Sequence, residues 1–127
     1  MAKEKTDPKV VFEHLKPMLA KHADKLAVVT DSEDNYYLDT NHIQKNKKPL
    51  YFGSAKLRAK YVSFYLMPVY LKPELLEGMS DRLKKRMQGK SCFNFKEIDQ
   101  ELFTELGALV DAGYQSYAEQ GLSLIHI

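Results

Sequence analysis

Apolar residues recur at helical spacing near the start of the chain. Val11 and Leu15 lie four positions apart, and further apolar residues follow on the same side, which predicts an amphipathic helix. Asp7 is suited to cap this helix, and Pro8 suits its first position. Pro17 removes an interior backbone hydrogen bond, so we expect it to kink or split the helix.

A longer apolar stripe of the same kind predicts a closing helix. Asp99 is suited to cap it. The stripe and the residues that widen it are Leu102, Phe103, Leu106, Leu109, Val110, Gly113, Tyr114 and Tyr117.

Residues 73–89 predict a helix in two pieces. Pro73 begins the first piece and Gly78 ends it, since glycine favours helix ends. Ser80 is suited to cap the second piece, in which Leu83 and Met87 lie four positions apart. We expect Gly89 to end that piece.

Short segments rich in aromatic and branched residues predict β-strands. Alternation in residues 61–70 places Val62, Phe64 and Leu66 on one face of a central strand. Residues 31–35 are dense in turn formers and predict a hairpin between the first two strands, of which the first is expected to be buried. The predicted strands are residues 25–30, 36–40, 50–57, 61–70 and 91–95.

This order, with strands clustered between helices, predicts an α+β fold. We expect a two-layer sandwich in which an about five-stranded, mainly antiparallel sheet has helices packed on one face. The length of 127 residues fits one domain, to which we assign residues 1–121. Residues 122–127 can be encoded by a transposon-end adapter used in sequencing libraries, so we expect them to be a non-native tail.

Composition gives no indication of a nucleic-acid partner, a disulfide-bonded protein or a membrane protein. A net charge of +2 does not by itself indicate a nucleic-acid or membrane partner. Cys92 is the only cysteine, so no intrachain disulfide can form, and a reducing cytoplasm is the expected location. The first ten residues do not resemble a signal peptide, and no apolar run is long enough to cross a bilayer.

The stretch RMQGKSCFNF, residues 86–95, resembles the end of a phosphate-binding loop. Such a loop needs a preceding strand, a following helix and an earlier glycine, whereas Lys84 stands at that glycine's position and the order of elements is reversed. Cys92 has no histidine nearby in sequence to act as a base, so we interpret it as a small, partly buried strand residue. The stretch is therefore predicted to join a helix to a strand.

Acidic residues and histidines show no diagnostic metal spacing. Carboxylates cluster around the first hairpin, where a solvated turn is the simpler interpretation. His14 and His22 lie eight positions apart and complete no zinc motif. We predict no metal site, no cofactor and no catalytic residue. The clustered carboxylates are Asp31, Glu33, Asp34 and Asp39, with Glu13 and Asp24 as further candidates.

Two basic clusters are candidates for anion or nucleic-acid binding. Convergence of the two would allow them to hold phosphates, with Tyr65 or Tyr36 as a stacking face. A solvated helix face is the simpler interpretation of the second cluster. The first cluster is Lys45, Lys47 and Lys48, and the second is Lys84, Lys85, Arg86 and Lys90.

The chain has eight tyrosines and no tryptophan. Tyrosine buries its ring while its hydroxyl remains free to bond, so tyrosines on one sheet face could line a shallow pocket. Tyr36, Tyr61 and Tyr65 are the candidate pocket-lining residues. A layer on which a helix packs is the alternative.

The run YVSFYLMPVY, followed by LLEGMSDRLKKRMQGKSCFNFK, resembles the bacterial YdhG-like proteins of unknown function, in the YjbR and CyaY (frataxin-like) fold group. The likeness covers residues 36 to about 117. It implies a compact α+β domain with a curved antiparallel sheet. One branch of this fold group handles iron through an acidic ridge on its first helix, but the first helix here carries more lysine than acid. The resemblance therefore transfers no functional residue.

Together these observations favour a small, non-enzymatic binding or accessory module with an unknown small-molecule or protein partner. Anion or nucleic-acid binding through the basic clusters is the alternative. Iron or other metal handling, implied only by the resemblance, is a second alternative.

Overall fold

The computed structural model describes residues 7–43, 47 and 49–119. Its helices are α1 (Pro8–Ala20), α2 (Met67–Leu71), α3 (Asp81–Lys84) and α4 (Gln100–Glu119). Short 3₁₀ turns occupy Ala23–Lys25 and Pro73–Leu76. The strands are β1 (Ala27–Asp31), β2 (Asn35–Ile43), β3 (Pro49–Leu57), β4 (Val62–Leu66) and β5 (Cys92–Phe95).

The five strands form one antiparallel sheet in the order β1-β2-β3-β4-β5. Each strand thus pairs with its neighbour in sequence. The helices pack on one face of this sheet, so the predicted two-layer α+β sandwich is confirmed.

Buried apolar side chains from both layers form the core. Phe64 and Leu66 of β4 are fully buried, as are Phe93 of β5 and Leu15 of α1. Burial of this kind, at about 25 cal/mol per Å² of apolar surface, provides the main stabilisation of such a domain.

The predicted helix caps are present. The Asp7 side chain accepts a hydrogen bond from the Lys9 backbone N–H at 2.9 Å, and Ser80 Oγ accepts one from Leu83 at 3.2 Å. Asp99 Oδ1 accepts the Leu102 N–H at 3.2 Å. These bonds satisfy backbone donors that have no partner within the helix.

Pro17 does not split α1, which continues to Ala20. Pro17 lies in the last turn, and its own carbonyl still accepts the Lys21 N–H at 3.0 Å. The missing proline N–H therefore costs one backbone hydrogen bond, and the helix continues to Ala20 despite it.

The predicted strand of residues 61–70 is too long, since β4 ends at Leu66 and Met67 begins α2. Pro68 cannot donate a hydrogen bond to a neighbouring strand, but it is tolerated in the first turn of a helix. The first strand also differs from expectation. Val28 and Val29 of β1 are 46% and 56% exposed, because β1 is an edge strand.

The second helical piece also ends before the predicted position. α3 ends at Lys84, and Met87 instead forms a β-bridge with Phe93. Gly89, with φ of +87°, provides the turn that allows the chain to reverse at this point. The stretch RMQGKSCFNF therefore contains a tight reversal from α3 into β5, and the glycine turn leads into a strand rather than into the helix that a phosphate-binding loop requires.

Candidate ligand-binding surface

The sheet has a second face, opposite the helices, which we call the open face. Directly paired residues of antiparallel strands lie on the same side of a sheet. The register aligns Tyr37 with Ser54, Ser54 with Tyr65, and Tyr65 with Cys92. These four side chains form one row across β2 to β5. Lys56, Ser63 and Asn94 form the next row on the same face.

Arg58 follows β3 and links the two rows. Its Nη2 donates to the Tyr65 hydroxyl at 3.3 Å, and its Nε donates to Ser63 Oγ at 3.4 Å. Ser63 in turn donates to Asn94 Oδ1 at 3.2 Å. No carboxylate in the described ranges forms an ion pair with Arg58. The guanidinium of the half-buried Arg58 is thus held, among the described residues, by neutral oxygens alone.

A pair of stacked tyrosines lies beside this network. The rings of Tyr37 and Tyr51 are 4.7 Å apart between centroids, and the Tyr51 hydroxyl is hydrogen-bonded to Ser54. Burial, together with the nearby Asp39 charge, raises the pKa of Tyr37, and burial strongly raises the pKa of Tyr51. Both hydroxyls therefore stay protonated and able to donate at any physiological pH.

An irregularity in β3 places Tyr51 on the open face. Leu38 pairs with Gly53, but the next residue, Asp39, pairs with Tyr51, so Phe52 is an extra residue in the ladder. A β-bulge of this kind changes the alternation of faces. Phe52 is fully buried, while Tyr51 lies opposite Asp39.

Cys92 ends the tyrosine row but is not an activated nucleophile. Burial raises the pKa of its thiol, and hydrogen bonds from Tyr65 and Ser63 and the charge of Arg58 only partly oppose this. The Sγ atom lies 3.7 Å from Asn94 Oδ1. A raised pKa favours the protonated thiol, which is the less nucleophilic form, near neutral pH.

The structure does not bring the three candidate tyrosines together. Tyr36 is buried on the helix-covered face, because it pairs with Ala55, which pairs with Phe64. Tyr65 lies on the open face. Tyr61 is half-buried just before β4, where its carbonyl accepts the Arg58 N–H at 2.8 Å.

The predicted basic residues also separate. Lys85 and Arg86 line a groove together with Arg82 and Lys96. Lys84 is exposed outside that groove, and Lys90 lines a different, largely apolar depression with Tyr70 and Leu71. In the other basic cluster, Lys47 is exposed, while Lys45 and Lys48 lie outside the described residues.

The acidic cluster is not gathered around one point. Asp31 forms a salt bridge with Lys16 at 2.6 Å. Among the described residues, no group of three or more His, Cys, Asp or Glu is placed so that it could hold a metal ion.

Sequence reasoning missed a contact between the residues that follow α1 and the middle of α4. His22 Nε2 lies 2.8 Å from Asp111 Oδ1, and Lys21 Nζ lies 3.0 Å from Asp111 Oδ2. The Tyr114 ring stacks on His22 with centroids 4.3 Å apart. The sequence carries one signal for this contact. His22 continues the helical spacing of Leu15 and Met18, and this spacing places His22 on the side of the chain that faces the core.

Sequence reasoning also missed Tyr37, Tyr51 and Arg58. The alternation of side chains along β2 could have placed Tyr37 on the open face. Tyr36 shares a face with the apolar Leu38, so Tyr37 points to the opposite face. The bulge that turns Tyr51 outward has no comparable sequence signal.

Comparisons with known proteins give no match for this chain among family models, curated proteins or solved structures. Among the described residues, no helix has both the length and the apolar character needed to span a bilayer.

Proposed function

We propose that this chain is a non-enzymatic binding module that receives its ligand on the open face. The ligand would carry a planar group that lies against the tyrosines and an anionic group that pairs with Arg58. The observation that supports this most directly is the half-buried Arg58 guanidinium, held by the hydroxyls of Tyr65 and Ser63 and by no described carboxylate.

Holding the Arg58 guanidinium with neutral acceptors alone is unfavourable in free energy. Moving a charged group partly out of water is unfavourable unless it gains strong partners, and neutral hydroxyls are weaker acceptors than a carboxylate or phosphate. An anionic ligand would supply the missing partner. The fixed Tyr65 and Ser63 contacts hold the guanidinium in place beforehand, which lowers the entropy lost on binding.

The shape of the surface favours a ligand that lies flat. Four concave sites lined by described residues do not include Tyr37, Tyr51 or Tyr65. Tyrosine and arginine are also the residues that most often dominate binding energy at protein surfaces. We therefore expect a shallow contact area rather than an enclosed pocket.

Tyrosine fluorescence is a direct test, because the chain contains eight tyrosines and no tryptophan. The protein would be titrated with aromatic carboxylates and nucleoside monophosphates, with thermal shift as a second readout. A ligand at a hundredfold excess over its Kd adds about 2.7 kcal/mol of stability. We expect Arg58→Gln to weaken binding by roughly tenfold or more, because a charge-assisted hydrogen bond is lost.

The matched control is Lys60→Gln, an exposed residue of the same turn with the same change in charge. It should leave affinity unchanged. Equal affinities of the parent and Arg58→Gln for a bound probe, or no response to any probe, would refute the proposal.

Kinship with the YdhG-like proteins is part of the same proposal and has no support from the comparisons. Cytoplasmic location is likewise proposed, on the basis of the single cysteine and the composition. No described contact favours iron handling.

A further inference from the structure

A concave site separate from the open face lies between α3, the end of β5 and the start of α4. We call it the basic groove and define it by Arg82, Lys85, Arg86 and Lys96, with Phe95 and Leu102 at its base. Its volume is about 230 Å³. It shares no residue with the open face.

The cations of the groove are not equivalent. Arg82 is paired with Asp99, which also caps α4, and its Nη1 lies 3.9 Å from Glu101. Arg82 therefore has a structural role in joining α3 to α4.

The other three cations, Lys85, Arg86 and Lys96, form no ion pair with a carboxylate in the described part of the chain. Glu97 and Asp99 also line the groove, so its lining contains four cationic and two anionic side chains.

The backbone fixes the positions from which these three side chains extend. The Lys85 N–H donates to the Asp81 carbonyl at 2.9 Å, and the Arg86 carbonyl accepts the Asn94 N–H at 2.8 Å. Lys96 directly follows β5. Like charges that are brought together by a rigid backbone repel one another, and a bound polyanion would remove that repulsion.

We propose that the basic groove binds a phosphoryl or pyrophosphoryl group of a small ligand. Arginine presents a planar fork that matches phosphate oxygens, and lysine adds a compact charge. The groove is smaller than the roughly 300–1,000 Å³ of typical drug-sized pockets. It therefore suits one or two phosphates rather than a whole nucleotide, whose remainder would lie outside.

The test uses pyrophosphate and inorganic phosphate as probes, measured by calorimetry on the full chain. We expect Lys85→Gln, Arg86→Gln and Lys96→Gln each to weaken pyrophosphate binding by about tenfold. Their side chains are exposed, so folding should be retained, which Tm would verify.

Lys84→Gln and Lys90→Gln are matched controls, since both are exposed lysines close in sequence that do not line the groove. They make the same change in net charge and should alter affinity less than twofold. Equal losses in groove and control variants would mean diffuse attraction to net charge and would overturn the proposal. Absence of pyrophosphate binding would also overturn it.

Two further arms complete the test. A single-stranded oligonucleotide that binds more tightly than pyrophosphate and is weakened equally by Lys84→Gln and Arg86→Gln would replace the small-ligand proposal with an extended nucleic-acid surface. Arg58→Gln should leave pyrophosphate binding intact, so failure of the groove and failure of the open face can be told apart.

Discussion

At the scale of single residues, charged side chains join segments that are distant in sequence. Asp111 of α4 accepts hydrogen bonds from Lys21 and His22 at the end of α1. Although partial burial opposes ionisation, these hydrogen bonds and the two nearby charges lower the pKa of Asp111 below its ordinary 3.8. Asp24, Lys25 and Tyr114 line the same cleft.

The lowered pKa of Asp111 determines how its contribution to stability depends on pH. A carboxyl with a depressed folded-state pKa contributes stability above its unfolded pKa and loses it as pH falls through the folded value. We expect Asp111→Asn to destabilise the protein near pH 7 by roughly 0.5–1 kcal/mol, a modest value because the side chain is 43% exposed. Urea unfolding near pH 3 should show a smaller difference.

Asp24→Asn is the control, since Asp24 is exposed in the same cleft and forms no ion pair with a described residue. A difference between the parent and Asp111→Asn that stays constant from neutral to acid pH would contradict the assigned role of the ionised carboxylate.

At the scale of elements, the contact of α4 with α2 depends on a small residue. A Cβ atom at Gly113 would lie 2.9 Å from Pro68 Cβ and 3.0 Å from Pro68 Cγ. The proline ring is stiff and cannot turn aside as a flexible side chain would. Gly107, in the same helix, has nothing within 4 Å of the corresponding position.

We expect the same substitution to alanine to have opposite effects on stability at these two glycines. Gly113→Ala should destabilise by about 1–3 kcal/mol, because overpacking shifts α4 from α2. Gly107→Ala should stabilise by roughly 0.5–1 kcal/mol, because alanine loses less backbone entropy in a helix. Urea midpoints of both variants measure this, and shifts in the same direction would exclude the packing explanation.

At the scale of the whole molecule, the sheet and the helices share one core. Leu15 of α1 and Phe93 of β5 are both fully buried and belong to the same apolar cluster. Loss of packing in either layer should therefore weaken the other, and unfolding should be one cooperative event.

Leu15→Ala and Phe93→Ala should each cost about 2–5 kcal/mol and retain a single transition by fluorescence and circular dichroism. Leu71→Ala, whose leucine is 49% exposed, should change stability by less than about 0.5 kcal/mol. If the two probes gave separate transitions in the core variants, the layers would be shown to fold independently.

The candidate surfaces were only partly predictable. The alternation of β2 and β4 was sufficient to place Phe64 in the core and Tyr65 opposite it. The assignment of Tyr36 to a pocket ignored the same alternation, which places Tyr36 on the same face of β2 as the buried Leu38. Lys84 and Lys90 were grouped with Lys85 and Arg86 because they are close in sequence, but proximity in sequence does not place side chains on one surface.

The sequence by itself determined the type and order of the five strands, the first helix and the closing helix, but it missed α2. A cap such as Asp7, Ser80 or Asp99 acts through hydrogen bonds within two or three residues, and an apolar stripe needs only the local period of a helix or strand. These interactions are short-range along the chain and so can be recognised without knowledge of the fold.

Only the tertiary structure decided which groups meet. The bulge at Phe52 turns Tyr51 outward, the pairing of Met87 with Phe93 ends α3 early, and Asp111 reaches His22 across 89 positions. Strand register and helix packing depend on many weak contacts summed over the whole core. The convergence of Lys85 and Arg86 with Lys96, and of Arg58 with Tyr65, follows from that sum.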